Sequence, residues 1–300
     1  MSEPTIVVAG ATGRLGERIV RALRAKNAKV VALTRASSNP EKVAALKSLG
    51  AEIAPIDLKS VEGVARACEG ASCVISALLG MRDTMVDGQS VLLDGAVKAG
   101  VPRFIPSDYA LDYTKLARGQ NRNLDWHAEF LERLYQAPIA PTSILNGAFM
   151  DLLLGQAPFI VFKLRRAIYW GSDTQPLDFT TMTNTAEFTA GAALEAKTPK
   201  FLNCVGQRVT PRELATIASE ATGQTFKTQW AGTTGMLGVM ISAMKAIVPA
   251  PNDPFPPWQG MQYSKNMFEG RCLLAPIDND RYPGIKWTQV RELLATRPTP

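Results

Sequence analysis

The segment Val7-Val8-Ala9-Gly10-Ala11-Thr12-Gly13-Arg14-Leu15-Gly16 restricts the fold more than any other part of this 300-residue chain. A β-branched run from Thr5 to Val8 stops at Gly10, and glycines recur at Gly13 and Gly16. Leu15, Ile19, Val20 and Leu23 then repeat at the spacing of one helix face. The pattern reads strand, tight turn, helix. Gly10 turns the chain out of the strand, Gly13 leaves its backbone open to a pyrophosphate, and Gly16 lets the helix pack close to the sheet. The unpaired N–H groups and the positive dipole end of the helix would face the phosphates. A glycine triplet alone also suits a plain turn. The flanking strand and helix favour a dinucleotide site that includes Thr12, Arg14 and Leu15.

The rest of the first half alternates. Strands are expected over 29–34, 52–56, 73–77, 103–105 and 141–145, with helices over 40–49, 61–68, 84–99 and 124–135. Alternation of this kind means βαβ units and a doubly wound parallel sheet of Rossmann type. The pattern loosens after Gly147. A strand end and helix over 180–196, a strand over 201–205 and a helix over 211–222 capped by Thr210 are expected. An apolar stretch follows over 235–248, then a rigid loop around Pro249, Pro251, Pro254, Pro256 and Pro257, and a last helix over 288–295. The reading is a nucleotide-binding domain at 1–155 and a smaller substrate-binding part at 156–300, with residues 178–208 returning to the first sheet.

Charge and cysteine content narrow the function classes. The net charge is +6, but the basic residues are scattered, so no nucleic-acid tail is indicated. Cys68, Cys73, Cys204 and Cys272 show no metal-ligand spacing, and the chain has a single histidine; no metal site is expected, and the thiols fit a reduced, cytoplasmic setting. The start, Met-Ser-Glu-Pro-Thr, does not read as a leader peptide. No apolar run reaches the ~18 residues a membrane span needs.

Cofactor choice turns on the end of the second strand, Leu33-Thr34-Arg35-Ala36-Ser37-Ser38. An NAD site places a carboxylate there for the ribose hydroxyls. Arg35 stands there instead, able to take a 2′-phosphate bidentately, and Arg14 adds a second cation. NADP(H) is therefore the expected cofactor. Asp57 would either meet the adenine amine or cap the next helix. Ser76 and Ala77, small residues at the end of the fourth strand, leave room for ribose and nicotinamide.

These features, together with Val101-Pro102-Arg103-Phe104-Ile105-Pro106-Ser107-Asp108-Tyr109, Pro141 to Met150 and Asp278 to Thr288, resemble the NmrA-like and isoflavone-reductase-like branch of atypical short-chain dehydrogenases. The resemblance spans nearly the whole chain. It implies NADPH binding and, in the family's enzymes, hydride transfer to small, often aromatic, carbonyl, quinone or phenylpropanoid substrates. Some members are instead non-catalytic dinucleotide sensors. It also implies a lysine in the helix before the sixth strand. Counting back from Thr142 places His127 at that position, in Asp125-Trp126-His127-Ala128. An imidazole there could give a proton to a developing alkoxide or enolate. The plain alternative is a histidine packed against Trp126 with no role.

Tyr109 and Tyr113 follow the fifth strand, and either phenol could donate a proton; Tyr109 is the second catalytic candidate, with pocket wall as its plain alternative, and Tyr113 is expected at the substrate. Tyr113-Thr114-Lys115 lacks the Tyr-x-x-x-Lys spacing that would put both side chains on one helix face. Ser107 is an expected cofactor contact, though it and Asp108 would also suit a turn. Asn146 and Phe149 are candidate pocket lining. Met236, Met240 and Met244 recur at helical spacing, as core or as an adaptable lid over substrate. The expected activity is NADPH-dependent reduction of a small apolar, aromatic carbonyl, enone or quinone-like compound by a monomer or homodimer. A redox-sensing regulatory protein is the competing reading.

Overall fold

The computed structural model describes residues 3–250 and 252–297. Met1 and Ser2 of the start that does not read as a leader, and Pro251 of the expected loop, lie outside that range. In the first half, β1 (Thr5–Ala9), α1 (Arg14–Ala25), β2 (Lys29–Thr34), α2 (Pro40–Ser48), β3 (Glu52–Pro55), α3 (Val61–Ala67), β4 (Cys73–Ser76), α4 (Gln89–Lys98), β5 (Arg103–Ile105), α5 (Arg122–Gln136) and β6 (Ala140–Pro141) follow one another. Their strands form a parallel six-stranded sheet in the order β3-β2-β1-β4-β5-β6. The order reverses between β1 and β4, which opens a crevice at their carboxyl ends.

The centre of the sheet is buried on both faces because β1, β2 and β4 are apolar along nearly their whole length rather than at alternate positions. Ile6 and Val8 of β1 pack toward Ile19, Val20 and Leu23 of α1, whereas Val7 and Ala9 pack toward Val64, Leu92, Phe104 and Phe130. The π-turn Asp83–Gly88 precedes α4, so the helix expected over 84–99 is two pieces. The Gln89 side chain explains the break. Its Nε2 donates to the Met85 carbonyl at 2.6 Å, taking the acceptor that an α-helical N–H would use.

The second half contains β7 (Ser143–Leu145), β8 (Ala148–Phe149), β9 (Ile160–Val161), β10 (Arg166–Tyr169), β11 (Leu177–Thr180), α6 (Met182–Leu194), β12 (Phe201–Asn203), β13 (Gln207–Val209), α7 (Pro211–Thr222), β14 (Lys227–Trp230), α8 (Thr234–Ile247), α9 (Pro257–Phe268) and α10 (Val290–Ala295). The strand expected over 141–145 is divided at Thr142: β6 pairs with β5, and β7 pairs in parallel with β12. Two small sheets, β13-β11-β8 and β14-β10-β9, fill the stretch that has no clean period in sequence. The proline stretch is not loop throughout. Pro257 opens α9, where a missing N–H costs nothing.

The two halves interleave. α6 lies against α1, and its Phe188 packs edge-on to Tyr282 with ring centroids 5.0 Å apart. Buried Arg103 of β5 donates to the carbonyls of Ala192 (2.7 Å) and Ala193 (3.3 Å), satisfying the last turn of α6. The four cysteines are free and buried, and burial pushes the thiols of Cys68, Cys73 and Cys272 up to about 12. No helix among the described residues is long and apolar enough to cross a membrane, and those residues hold no metal-binding cluster.

Candidate active site

The glycine loop is built from backbone. Gly10 has φ +74°, a left-handed conformation, and a side chain there would collide with the Ala77 carbonyl at the end of β4. Gly13 donates to the Gly10 carbonyl at 2.9 Å, closing the turn. Gly16 is buried, and a side chain there would strike the Gly10 carbonyl. Its absence lets α1 sit down on the loop itself, a tighter contact than the helix-on-sheet packing expected from sequence. Gly13, in contrast, has only the Gly10 oxygen near its would-be Cβ, at 3.1 Å. It is also the N-cap of α1, and no side chain caps that helix. The free N–H groups there suit an anion.

Around this loop the expected cofactor residues divide into free and engaged groups. Arg35 is exposed, and among the described residues its guanidinium makes no ion pair; its backbone closes a turn with Ser38 at 2.9 Å. Arg14 pairs with Asp151 at 3.5 Å, and Thr12 and Leu15 are half-buried beside it. Asp57 is exposed; one of its oxygens accepts from the Lys59 N–H at 3.1 Å, while Ser60 caps α3. Ser76 is buried at the end of β4, and its hydroxyl has no partner. The Ala77 backbone continues the pairing with β1 through the Ala9 carbonyl at 2.9 Å. Ser107 is not a free donor. Its hydroxyl donates to Leu78 O at 2.7 Å, and its N–H donates to Gln89 Oε1 at 2.9 Å. It ties the ends of β4 and β5 together across the π-turn. The unblocked Gly13, the uncapped α1, the unpartnered Ser76 hydroxyl and the free Arg35 fit a dinucleotide bearing a 2′-phosphate.

His127 lies one turn into α5, on its buried face, with 7% of its surface exposed. Its Nδ1 lies 3.1 Å from Asp108 Oδ1, within hydrogen-bond reach, and among the described residues Nε2 makes no hydrogen bond. Asp108, 0% exposed, follows β5. Its Oδ2 accepts from the Tyr113 hydroxyl at 2.7 Å and from Ser143 Oγ at 2.7 Å. The Tyr113 ring stacks on the imidazole, with centroids 5.7 Å apart and planes 27° from parallel. Burial first, then the charge of Asp108, raises the Tyr113 phenol well above its ordinary range, so it stays a neutral donor. Tyr113 therefore supports His127 from behind and is not free pocket wall.

Tyr109 points the other way. Its ring packs with the core between the sheet and α6, and its hydroxyl is buried without a hydrogen bond. The hydroxyl of Thr189, on α6, donates to Thr185 O at 2.7 Å. Burial raises the phenol far above its ordinary range. Enclosed in this way, it is not placed to pass a proton to a substrate. Asn146 is wholly buried; its Nδ2 donates to Thr185 Oγ1 at 3.3 Å and its Oδ1 has no partner. Phe149 is half-buried at the end of β8. Met236 and Met240 are 52% and 46% exposed on α8, which buries only Leu237 and Ile241. The methionine stripe is thus not core, because α8 rests on α9 along one narrow line.

Sequence reading missed the carboxylate that organises the cluster, since Asp108 also suits a turn. It also missed a buried amide network joining α5 to α9. Gln259 Nε2 donates to Asn121 Oδ1 at 2.7 Å, Asn121 Nδ2 donates to Asn266 Oδ1 at 3.0 Å, and the Arg122 N–H donates to Gln262 Oε1 at 3.2 Å. Asn121 is the N-cap of α5, so this network fixes the helix that carries His127. The only signal in sequence was the run Gln120-Asn121-Arg122-Asn123 ahead of the helix.

The pattern that defines the NmrA-like family matches residues 2–240. An oxidoreductase of Botryotinia fuckeliana, BOA1, is 27% identical over 234 residues, 73% of this chain and 76% of that protein. Among solved structures, the complex of leucoanthocyanidin reductase with NADPH from Vitis vinifera superposes with a TM-score of 0.79 at 17% identity, covering 97% of this chain and 98% of the other. An NADPH-dependent quinone oxidoreductase of Escherichia coli, solved with NADPH, gives 0.76 at 19% identity over 97% and 98%.

Proposed function

This chain belongs to the NmrA-like family, and on that premise we propose that it is an NADPH-dependent reductase of a small apolar, aromatic carbonyl, enone or quinone-like substrate. The observation that carries the proposal is the pinned imidazole: the Nδ1 side of His127 is held by a buried carboxylate, while Nε2 has no partner among the described residues. A protein that only sensed the cofactor would have no use for an oriented proton donor of this kind. The relatives named above, an oxidoreductase, an NADPH-dependent quinone oxidoreductase and a leucoanthocyanidin reductase solved with NADPH, support the same reading.

Gly10, Gly13 and the start of α1 would hold the pyrophosphate, Arg35 the 2′-phosphate, and Ser76 the groups nearer the nicotinamide. NADPH, when bound, supplies the hydride that reduces the substrate carbon. His127 supplies the proton to the oxygen of the former carbonyl from Nε2. Asn146 and Phe149, past β7, are the residues we assign to the substrate side, with the exposed Met236 and Met240 able to fold over an apolar ligand.

The experiment is NADPH oxidation against a panel of aryl ketones, enones and quinones, with NADH in parallel. Turnover of at least one class, with strong preference for NADPH, is expected. Tight NADPH binding without oxidation anywhere in the panel, together with unequal affinity for NADP+ and NADPH, would overturn the reductase and favour a sensor.

A further inference from the structure

We infer that Asp108 is a positioning residue that fixes neutral His127 as the tautomer protonated on Nδ1, so that Nε2 alone exchanges the proton with substrate. The catalytic meaning of this inference rests on the reductase reading; its geometry does not. Asp108 is wholly enclosed and both of its oxygens are used. Two hydroxyls, of Tyr113 and Ser143, donate to Oδ2, so the side chain already stands as the acceptor of both. An ionised carboxylate only accepts, so the imidazole must donate from Nδ1.

The surroundings leave no other arrangement. The groups that face Asp108 are His127 and Tyr135 of α5, Tyr113 of the turn Tyr113–Lys115, Ser143 of β7 and neighbouring Tyr109. None of the others is a cation, so His127 is the one basic side chain among these groups. The stacked Tyr113 ring holds the imidazole plane and resists a ring flip. Asp108, Tyr113, His127 and Ser143 come from four separate segments, so the carboxylate has little freedom to follow a rotated ring.

The proton balance is then simple. Charged His127 carries protons on both nitrogens. When the substrate carbon is reduced, its oxygen would take the Nε2 proton and become a hydroxyl. The ring is left neutral with its proton on Nδ1, still bonded to Asp108, and Nε2 regains a proton from water. A ring left with its proton on Nε2 would have broken the Asp108 bond in the same step.

His127 is the only histidine in the chain, so a nitrogen-15 NMR spectrum of the imidazole has one set of ring signals. At the alkaline end of a titration, we expect Nδ1 to show the protonated-nitrogen shift and Nε2 the lone-pair shift. In Asp108→Asn the amide can donate to Nδ1, so the tautomer inverts, and kcat falls roughly 10²- to 10⁴-fold with the KM for NADPH unchanged. Ser143→Ala, which keeps the carboxylate, retains the Nδ1–H ring and loses less activity. The wild-type spectrum needs no variant, so misfolding of Asp108→Asn leaves the test standing. A neutral wild-type ring protonated on Nε2, in an enzyme that turns over, would overturn this inference and spare the reductase. An Nδ1–H ring in a protein inert across the panel would do the reverse.

Discussion

The glycine loop and the His127 cluster lie at the same carboxyl edge of the sheet, yet they are made in opposite ways. At the loop, consecutive residues do the work and the side chains are mostly missing. Gly10, Gly13 and Gly16 act through backbone approach, a positive φ and an uncapped helix start. At His127, four side chains converge from α5, β7, the end of β5 and a 3₁₀ turn, and every polar atom but Nε2 is matched. The first site tolerates almost no added atom. The second depends on its hydrogen bonds, above all the one between His127 and Asp108. Cofactor binding and proton transfer should therefore fail separately under mutation.

The largest expected effect is at the loop. Gly16→Val forces a branched side chain into the Gly10 carbonyl and should cost on the order of 4 kcal/mol or more, with loss of the cooperative thermal transition or of NADPH binding. Survival of both would break the account of a backbone-built site. Next comes Arg35→Ser, which removes the free guanidinium. It should weaken NADPH by ~1.5–3 kcal/mol, the worth of a charge-assisted bond, and leave NADH unchanged in calorimetric titrations. An equal loss for both cofactors would place the 2′-phosphate elsewhere.

Asn121→Ala tests the amide network that seats α5. It removes a helix cap and leaves Gln259 and Asn266 unpaired, and should cost about 1–2 kcal/mol in denaturant melts. It should lower kcat more than NADPH affinity, because His127 rides on that helix. The smallest effect concerns Glu195. Hydrogen bonding from Arg281, and then from Tyr282, holds its carboxyl below the ordinary range against the opposing effect of burial. Its contribution is present above the ordinary carboxylate range and lost as pH falls through the lowered value. Glu195→Gln should flatten that acid limb of the stability profile and change neutral stability by under ~1 kcal/mol. No change in the limb would show the pair to be inert.

The same contrast explains what could be read from the sequence. β1, the loop and α1 were legible because one continuous stretch encodes all three, and the parallel sheet was legible from unbroken apolar strands. Arg35 stands out in the sequence because it takes the place of a carboxylate at a fixed offset from β2, and its place at the 2′-phosphate is what Arg35→Ser tests. His127 was found only by counting back from Thr142. Asp108 carries no pattern of its own; it becomes a partner of His127 only when β5 and α5 are brought together. The π-turn before α4 was hidden because its cause is one side chain, Gln89, bonding its own helix and the next loop. α9 was hidden behind prolines that mark its start. Met236 and Met240 show the limit of periodicity, since helical spacing does not say whether a second surface covers the stripe.

The most direct test of this division is single-turnover oxidation of NADPH by His127→Asn, using the best substrate of the panel at saturating cofactor. The imidazole is then absent while the glycine loop, Arg35 and Ser76 are untouched. The expected result is an unchanged dissociation constant for NADPH with the hydride-transfer rate reduced roughly 10²- to 10⁴-fold. A wild-type rate in that variant would contradict the account, because the proton would then have to reach the substrate without His127.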